Sequence, residues 1–238
     1  MGQTIANMAT FPQRENTLAQ SISSICDQVD RVNLVLNEYS EVPKFLLQFR
    51  NVEPIIPTND LKDTGKFLPE CSGEDLVFLV DDDLFYSSGY VSLLLRRANE
   101  LGLEENVLGL HGTVYRKNLQ GLRSRKRFDF ASSQKELVYV DQLGTGTILV
   151  LGKNLPPFEY MRTSQKFVDV RFAKWCAENE LNMISVPRPK ATIRSIRVSG
   201  SSIYRSFTSK SPEHVLNEVR EFAGKNQRIK QSHRSGLF

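Results

Sequence analysis

The 238 residues, 27.1 kDa in all, are 40% apolar and 24% charged, an ordinary balance for a soluble globular protein. A chain this long buries a core that needs no disulfide or metal to hold it, and its length suits one large domain. The net charge of +4 equals the excess of residues 220–238, five cations against Glu221, so the body is neutral. A neutral body argues against a dedicated nucleic-acid binder.

Other exclusions follow. The longest apolar runs, Val77 to Val80 and Val91 to Leu95, fall well short of the roughly 20 residues of a bilayer span. Met1-Gly2-Gln3-Thr4 lacks a signal-peptide pattern, and Ala6 breaks the myristoylation motif that Gly2 would open. Cys26, Cys71 and Cys176 form no C-x-x-C and no even set, so reduced thiols in a cytoplasmic protein are expected. The basic tail, 225–238, suits peripheral contact with anionic lipid at the inner face of a membrane or with an acidic partner, and equally a solvated, frayed terminus.

In chain order, Thr4 to Met8 reads as a strand. Asn16 caps a helix whose Leu18, Ile22 and Ile25 share one face. Arg31 to Leu36 is a strand, Pro43 to Phe49 a short helix, and Val52 to Ile56 and Leu76 to Val80 are further strands. Tyr90 to Leu101 is a helix. Leu119 to Phe128, with Arg123, Arg125, Lys126 and Arg127 and no acid, reads as a mobile loop. Strands follow at Val107–Leu110, Leu137–Val140, Thr147–Leu151 and Met183–Val186, with a helix over Phe167–Glu180. Ser211 and Pro212 open a last helix whose Val215, Leu216, Val219, Phe222 and Ala223 dock on the body. The expected division is a domain over 1–210, a docking helix over 211–224 and a flexible tail. The alternation of apolar strands and helices predicts an α/β, Rossmann-like, doubly wound and mostly parallel sheet with helices on both faces. Ligands of such sheets bind beyond the carboxyl ends of the strands.

There stands the sharpest feature, Asp81-Asp82-Asp83 directly after the apolar strand Leu76 to Val80. Three adjacent carboxylates repel, and a divalent cation with hard oxygen ligands relieves them. A solvated acidic turn is the plain alternative. The tract Asp81 to Tyr90 resembles the D-x-D region of GT-A glycosyltransferases, in particular bacterial family-2-like enzymes. Thr10-Phe11-Pro12-Gln13-Arg14 is similar to their T-x-P-x-R opening, and Asp63-Thr64-Gly65-Lys66-Phe67 to their G-K-F segment. His111-Gly112 and Leu143-Gly144-Thr145-Gly146-Thr147 resemble their H-G and L-G-T-G segments.

The resemblance implies transfer of a sugar from a nucleoside diphosphate sugar, UDP-linked by preference, to a glycan or lipid-linked glycan acceptor on the bacterial surface. It implies Mn²⁺ or Mg²⁺ at Asp83, with Asp81 at the ribose or the metal. Thr10, Arg14, Asp60, Lys66, Asp82, Gly144, Thr145 and Gly146 would serve the donor, and His111 and Gly112 the acceptor. Asp169 stands where such enzymes carry a general base for inverting displacement, although Val168 replaces the usual preceding acid. The late histidine that many of these enzymes use is missing before His214; Arg194 and Arg197 are candidates for the diphosphate instead. Two other readings remain: a sugar nucleotidyltransferase, disfavoured because Ala9 to Arg14 lacks glycine, and a non-catalytic nucleotide- or glycan-binding module of the same fold.

Overall fold

The computed structural model describes residues 2–196 and 211–224. The elements are β1 (Thr4–Thr10), α1 (Glu15–Ile25), β2 (Arg31–Leu36), β3 (Val52–Ile55), β4 (Leu76–Val80), β5 (Leu84–Tyr86) and α2 (Tyr90–Leu101). There follow β6 (Asn106–Gly109), β7 (Gly112–Tyr115), β8 (Arg125–Phe128), β9 (Val138–Tyr139), β10 (Gln142–Leu143) and β11 (Thr147–Leu151). The chain continues through α3 (Phe158–Met161), α4 (Val168–Glu178), β12 (Asn182–Ser185), β13 (Ile193–Ser195) and α5 (Glu213–Phe222).

Eight strands form the central sheet in the order β3-β2-β1-β4-β11-β6-β12-β9. The first four are mutually parallel, β11 runs antiparallel to both its neighbours, and β12 lies parallel to β6. The expected GT-A-like α/β architecture is therefore present, with an antiparallel strand next to β4. Alternation along β4 sends Phe78 and Val80 into one apolar layer and Val77 and Leu79 into the other. Leu18, Ile22 and Ile25 of α1 and Tyr90 and Leu94 of α2 fill the first layer. Phe172 and Cys176 of α4 and Val219 and Phe222 of α5 fill the second. Burial on both faces explains why the central strands read as unbroken apolar runs.

Several boundaries differ from expectation. Helix α1 begins at Glu15, so Asn16 lies inside it and caps nothing; the preceding 3-10 turn, Pro12–Arg14, leads directly into it. Residues Lys44–Gln48 form a 3-10 turn instead of an α-helix. Ser211 is no N-cap: Pro212 holds the cap position, and Ser211 Oγ accepts the Leu122 backbone N–H at 3.1 Å. The segment expected as a mobile loop holds strand β8, which pairs antiparallel with β7 from Gly112↔Phe128 to Tyr115↔Arg125. With β10 these strands make a second, three-stranded sheet. A run of cations hid β8, because strand propensity and period-2 apolar patterning are both absent there. The tail and Arg197 lie outside the described residues. Cys26 and Cys176 are buried, Cys71 is partly so, and all three are free thiols.

The last helix docks by more than its apolar face. Arg171 of α4 donates to both carboxylate oxygens of Glu218, at 2.8 and 2.6 Å, and to the Tyr160 carbonyl at 3.0 Å. Both partners are largely shielded, with side chains 18% and 12% exposed. Removing one partner strands the other charge, which costs about 3 kcal/mol for a well-buried pair and less at this partial exposure. Glu218→Ala is expected to lower stability by about 1–2 kcal/mol and to speed proteolytic cleavage around residues 211–224. Urea unfolding and limited proteolysis check this, and an unchanged midpoint contradicts it.

Candidate active site

The cleft lies at the carboxyl ends of β1, β2 and β4, where the fold places ligands. Its volume is about 380 Å³, and its lining includes Thr10, Arg14, Asp60, Lys66, Asp81, Asp82, Asp83 and Asp169. Eight of the residues singled out from the sequence thus meet in one depression.

Each of the three adjacent carboxylates finds a different partner. Asp81 Oδ1 accepts from Lys66 Nζ, whose ammonium also reaches the Thr145 carbonyl at 3.5 Å. Asp82 Oδ2 accepts the Thr10 hydroxyl at 2.7 Å. Asp83 Oδ2 pairs with Arg14 at 2.8 Å. Burial, with the charges of Asp83 and Asp81 added, outweighs the Thr10 hydrogen bond and pushes Asp82 up to about 7. Burial and the Asp81 charge likewise raise Asp83 against the pull of Arg14. For Lys66 burial favours the neutral amine, but Asp81, Asp169 and Asp63 overcome it and keep the ammonium charged.

The backbone at Asp81 is fixed from three sides. Its N–H donates to the Tyr86 hydroxyl at 2.7 Å, and that hydroxyl donates to the Gly146 carbonyl at 2.9 Å. Ser21 of α1 donates to the Asp81 carbonyl at 2.8 Å. The register pairs Thr147 with Val80, which brings Gly146 against Asp81. A Cβ on Gly146 would stand 2.0 Å from Asp81 Oδ2, so any larger residue would displace that carboxylate. A Cβ on Gly144 would stand 3.1 Å from the His111 ring.

Asp169 sits in the first turn of α4. Its Oδ1 accepts both the backbone N–H and the hydroxyl of Thr145, at 2.9 and 2.7 Å. No described residue hydrogen-bonds to Oδ2. Arg171, two residues on, pairs with Glu218 instead. Also in the cleft lining, Asp60 pairs with Lys62 at 3.0 Å. Burial works against that carboxylate, but the hydrogen bonds and charge of Lys62 hold it below the usual range.

Other expected residues stand elsewhere. His111, Gly112, Gly144, Thr145 and Gly146 are not in the cleft lining; Thr145 and Gly146 stand directly behind it against Asp169 and Asp81, Gly144 packs on His111, and Gly112 packs on Val140 and Ser185. Arg194 stacks over Phe85 at 4.1 Å, beside a separate small depression with Gln20 and Ile196. His214 is on α5, its ring 5.4 Å from that of Phe167.

Residues not singled out also shape the cleft. Asp63 accepts the Lys166 backbone N–H through both oxygens, at 2.9 and 3.0 Å, and so ties the G-K-F turn to the segment before α4. Burial pushes its carboxyl up to about 6. Lys166 has φ +75°, an unusual conformation outside glycine. Asn37, Glu38 and Lys62 add polar groups, and Gln142 and Arg125 come from the second sheet. The partner of Asp63 is a backbone N–H 103 residues away, which no local pattern signals.

Frame and cleft together define a GT-A-like α/β fold with a charged, carboxylate-rich ligand site. Among solved structures, S. aureus TarS shares this fold. TarS residues 1–349 in complex with UDP-GlcNAc match at TM-score 0.57 and 13% identity over 94% of this chain and 69% of that one. TarS 1–349 in another crystal structure matches at 0.54 and 12%, over 100% of this chain and 93% of that one. A longer TarS chain matches at 0.51 and 12%, over 95% of this chain and 45% of that one. No protein-family model and no curated protein matches the sequence.

His111 offers a test of this packing. Burial, then the charge of Arg127, pushes its pKa down to about 4. Its Nδ1 has no hydrogen-bond partner among the described residues, and its ring rests 5.6 Å from that of Phe130. The folded value lies below the unfolded value of about 6.5, so stability is full above pH 6.5 and is lost as pH falls toward 4. Between pH 7 and pH 5 the native protein is expected to lose on the order of 2 kcal/mol through this ring. His111→Phe, which keeps a ring and removes the titration, should flatten that loss in urea unfolding at the two pH values. Equal pH dependence of the two proteins contradicts the buried, neutral histidine.

Proposed function

We propose that this protein is a glycosyltransferase that moves a sugar from a nucleoside diphosphate sugar, UDP-linked by preference, to a hydroxyl of a bacterial surface glycan. The observation that carries the reading is the meeting, in one cleft of a GT-A-like frame, of Asp81, Asp82 and Asp83 with Lys66, Arg14 and Asp169. The UDP-GlcNAc held by TarS, which shares the fold, supports the donor class.

In this reading Lys66 and Arg14 offer positive charge to the diphosphate, while Thr10, Asp60 and Asp82 shape the nucleotide end. The donor atoms also fit Mn²⁺ or Mg²⁺. Asp81 and Asp83 each commit one oxygen to a cation and keep side chains 40% and 35% exposed to the cleft. Among the described residues no group of three or more His, Cys, Asp or Glu is arranged around a metal position. The protein would therefore supply Asp83 and Asp81, with phosphate and water completing the shell. A bound divalent ion would neutralise charge developing on the leaving diphosphate.

The acid–base step rests on Asp169. Thr145 holds Oδ1 with two hydrogen bonds, which orients Oδ2 to accept the proton of the acceptor hydroxyl. That oxygen attacks the anomeric carbon, the bond from carbon to the diphosphate oxygen breaks, and the configuration inverts. Asp169→Asn is expected to lower kcat by about 10²- to 10⁴-fold with little change in donor affinity. Asp83→Asn is expected to weaken donor binding itself. Donor turnover and nucleotide titration on both variants check the division of roles. Full turnover by Asp169→Asn contradicts the assignment, and undiminished donor binding by Asp83→Asn removes the carboxylate cluster from the donor site.

A further inference from the structure

The acceptor side of the cleft carries a strong charge asymmetry. Arg116, Lys117, Arg123, Arg125, Lys126 and Arg127 fall within twelve residues, and no acid occurs from 106 to 128. Residues 1–219 are neutral as a whole, so these six cations stand against a surplus of acids elsewhere. The structure turns the run into a shaped surface. Strand β8 is the outer strand of the second sheet, and its register sets Arg125 opposite Tyr115 and Arg127 opposite Thr113.

Alternation puts Arg125 and Arg127 on one face, about 7 Å apart along the strand. Arg125 lines the cleft itself, beside Leu122 and Gln142 and on the same lining as Asp169. Arg127 lies two residues along the strand, outside the cleft lining, in an exposed pair with Asp129 at 2.9 Å. Such a pair, with both side chains about 40% exposed, contributes little and exchanges readily for another anion. Lys126 points to the other face, over the Phe128 ring at 5.0 Å. The same sheet contains β10, which runs directly into Gly144 and Thr145, and Thr145 orients the Asp169 carboxylate. The cationic strand therefore belongs to the sheet from which the chain runs into the residue that orients the proposed base.

Cations are not needed on this side to hold a neutral sugar. A row of guanidinium forks leading outward from the cleft suits a chain that bears carboxylates or phosphates at intervals. We infer that β8 and the turn before it form the acceptor track, and that the acceptor is an anionic glycan whose charged groups pair with Arg125, Arg127 and Arg123 while its terminal hydroxyl reaches Asp169. This inference rests on the glycosyltransferase reading for the role of the track, but the binding surface stands on its own charge and geometry.

The test is a binding titration of the full chain, at low and at moderate salt, with polygalacturonate, phosphorylated dextran and neutral dextran of similar length. UDP with Mn²⁺ is titrated into the same samples. The comparison protein is Arg123→Gln/Arg125→Gln/Arg127→Gln, with Arg127→Gln alone as a milder second variant and Lys126→Gln, on the other face, as the variant expected to bind as wild type does. Expected is binding of at least one anionic polymer, weakened about ten-fold or more in the triple variant and in part by Arg127→Gln, and no binding of neutral dextran. Which anionic polymer binds tells carboxylate from phosphate. Equal affinity of wild type and both arginine variants overturns the track, because the tail then carries the binding. Equal binding of neutral dextran overturns it as well. So does binding of phosphatidylglycerol vesicles that the variants lose while neither anionic polymer binds, which makes the strand a membrane contact. Loss of polymer binding in the variants alongside absent UDP binding leaves the track standing and removes the donor reading.

Discussion

The site depends on three like charges placed side by side at the end of a buried apolar strand. Asp81, Asp82 and Asp83 leave β4 within one turn, and close carboxylates repel strongly where water is scarce. The fold answers with three different partners from three different segments. Lys66 comes from the turn after β3, Thr10 from the end of β1 and Arg14 from the turn that opens α1. Each partner reaches the triplet only if the parallel order β2-β1-β4 is made correctly. The cleft is thus a direct consequence of strand order, and burial, with the neighbouring aspartates adding to it, raises Asp82 and Asp83.

The second half of the chain closes the site from the other side. Strand β11 runs antiparallel to β4 and delivers Gly146 against Asp81. One residue earlier Thr145 holds Asp169, and its carbonyl meets Lys66. A chain of contacts therefore joins the carboxylate triplet, the lysine and the proposed base through the short Gly144-Thr145-Gly146 turn. Gly144 and Gly146 also pack closely on the protein itself, Gly146 against Asp81 and Gly144 against His111.

Much of this was legible in the sequence, and for identifiable reasons. Strands β2, β4 and β11 and helix α2 fall where the apolar patterns predict, because each is buried strongly enough to impose its period. The triplet after β4 was plain because like charges rarely follow one another without a purpose. Strand β8 was hidden by its cations, and β5, β10 and β13 by lengths of two or three residues. Asp63 and Lys166 escaped because their bond joins a side chain to a distant backbone N–H. His111 was assigned to the acceptor by resemblance alone; its contact with the Phe130 ring joins residues 19 apart and has no local pattern to signal it.

One measurement addresses the central claim most directly: calorimetric titration of UDP, with GDP and CDP beside it, with and without Mn²⁺, on the native protein and on Asp83→Ala. The account predicts that one nucleotide binds, that Mn²⁺ strengthens its binding, and that the substitution abolishes the metal-dependent part. Absence of binding by every nucleotide in both conditions would contradict the glycosyltransferase reading and leave the cleft as a site for another kind of ligand.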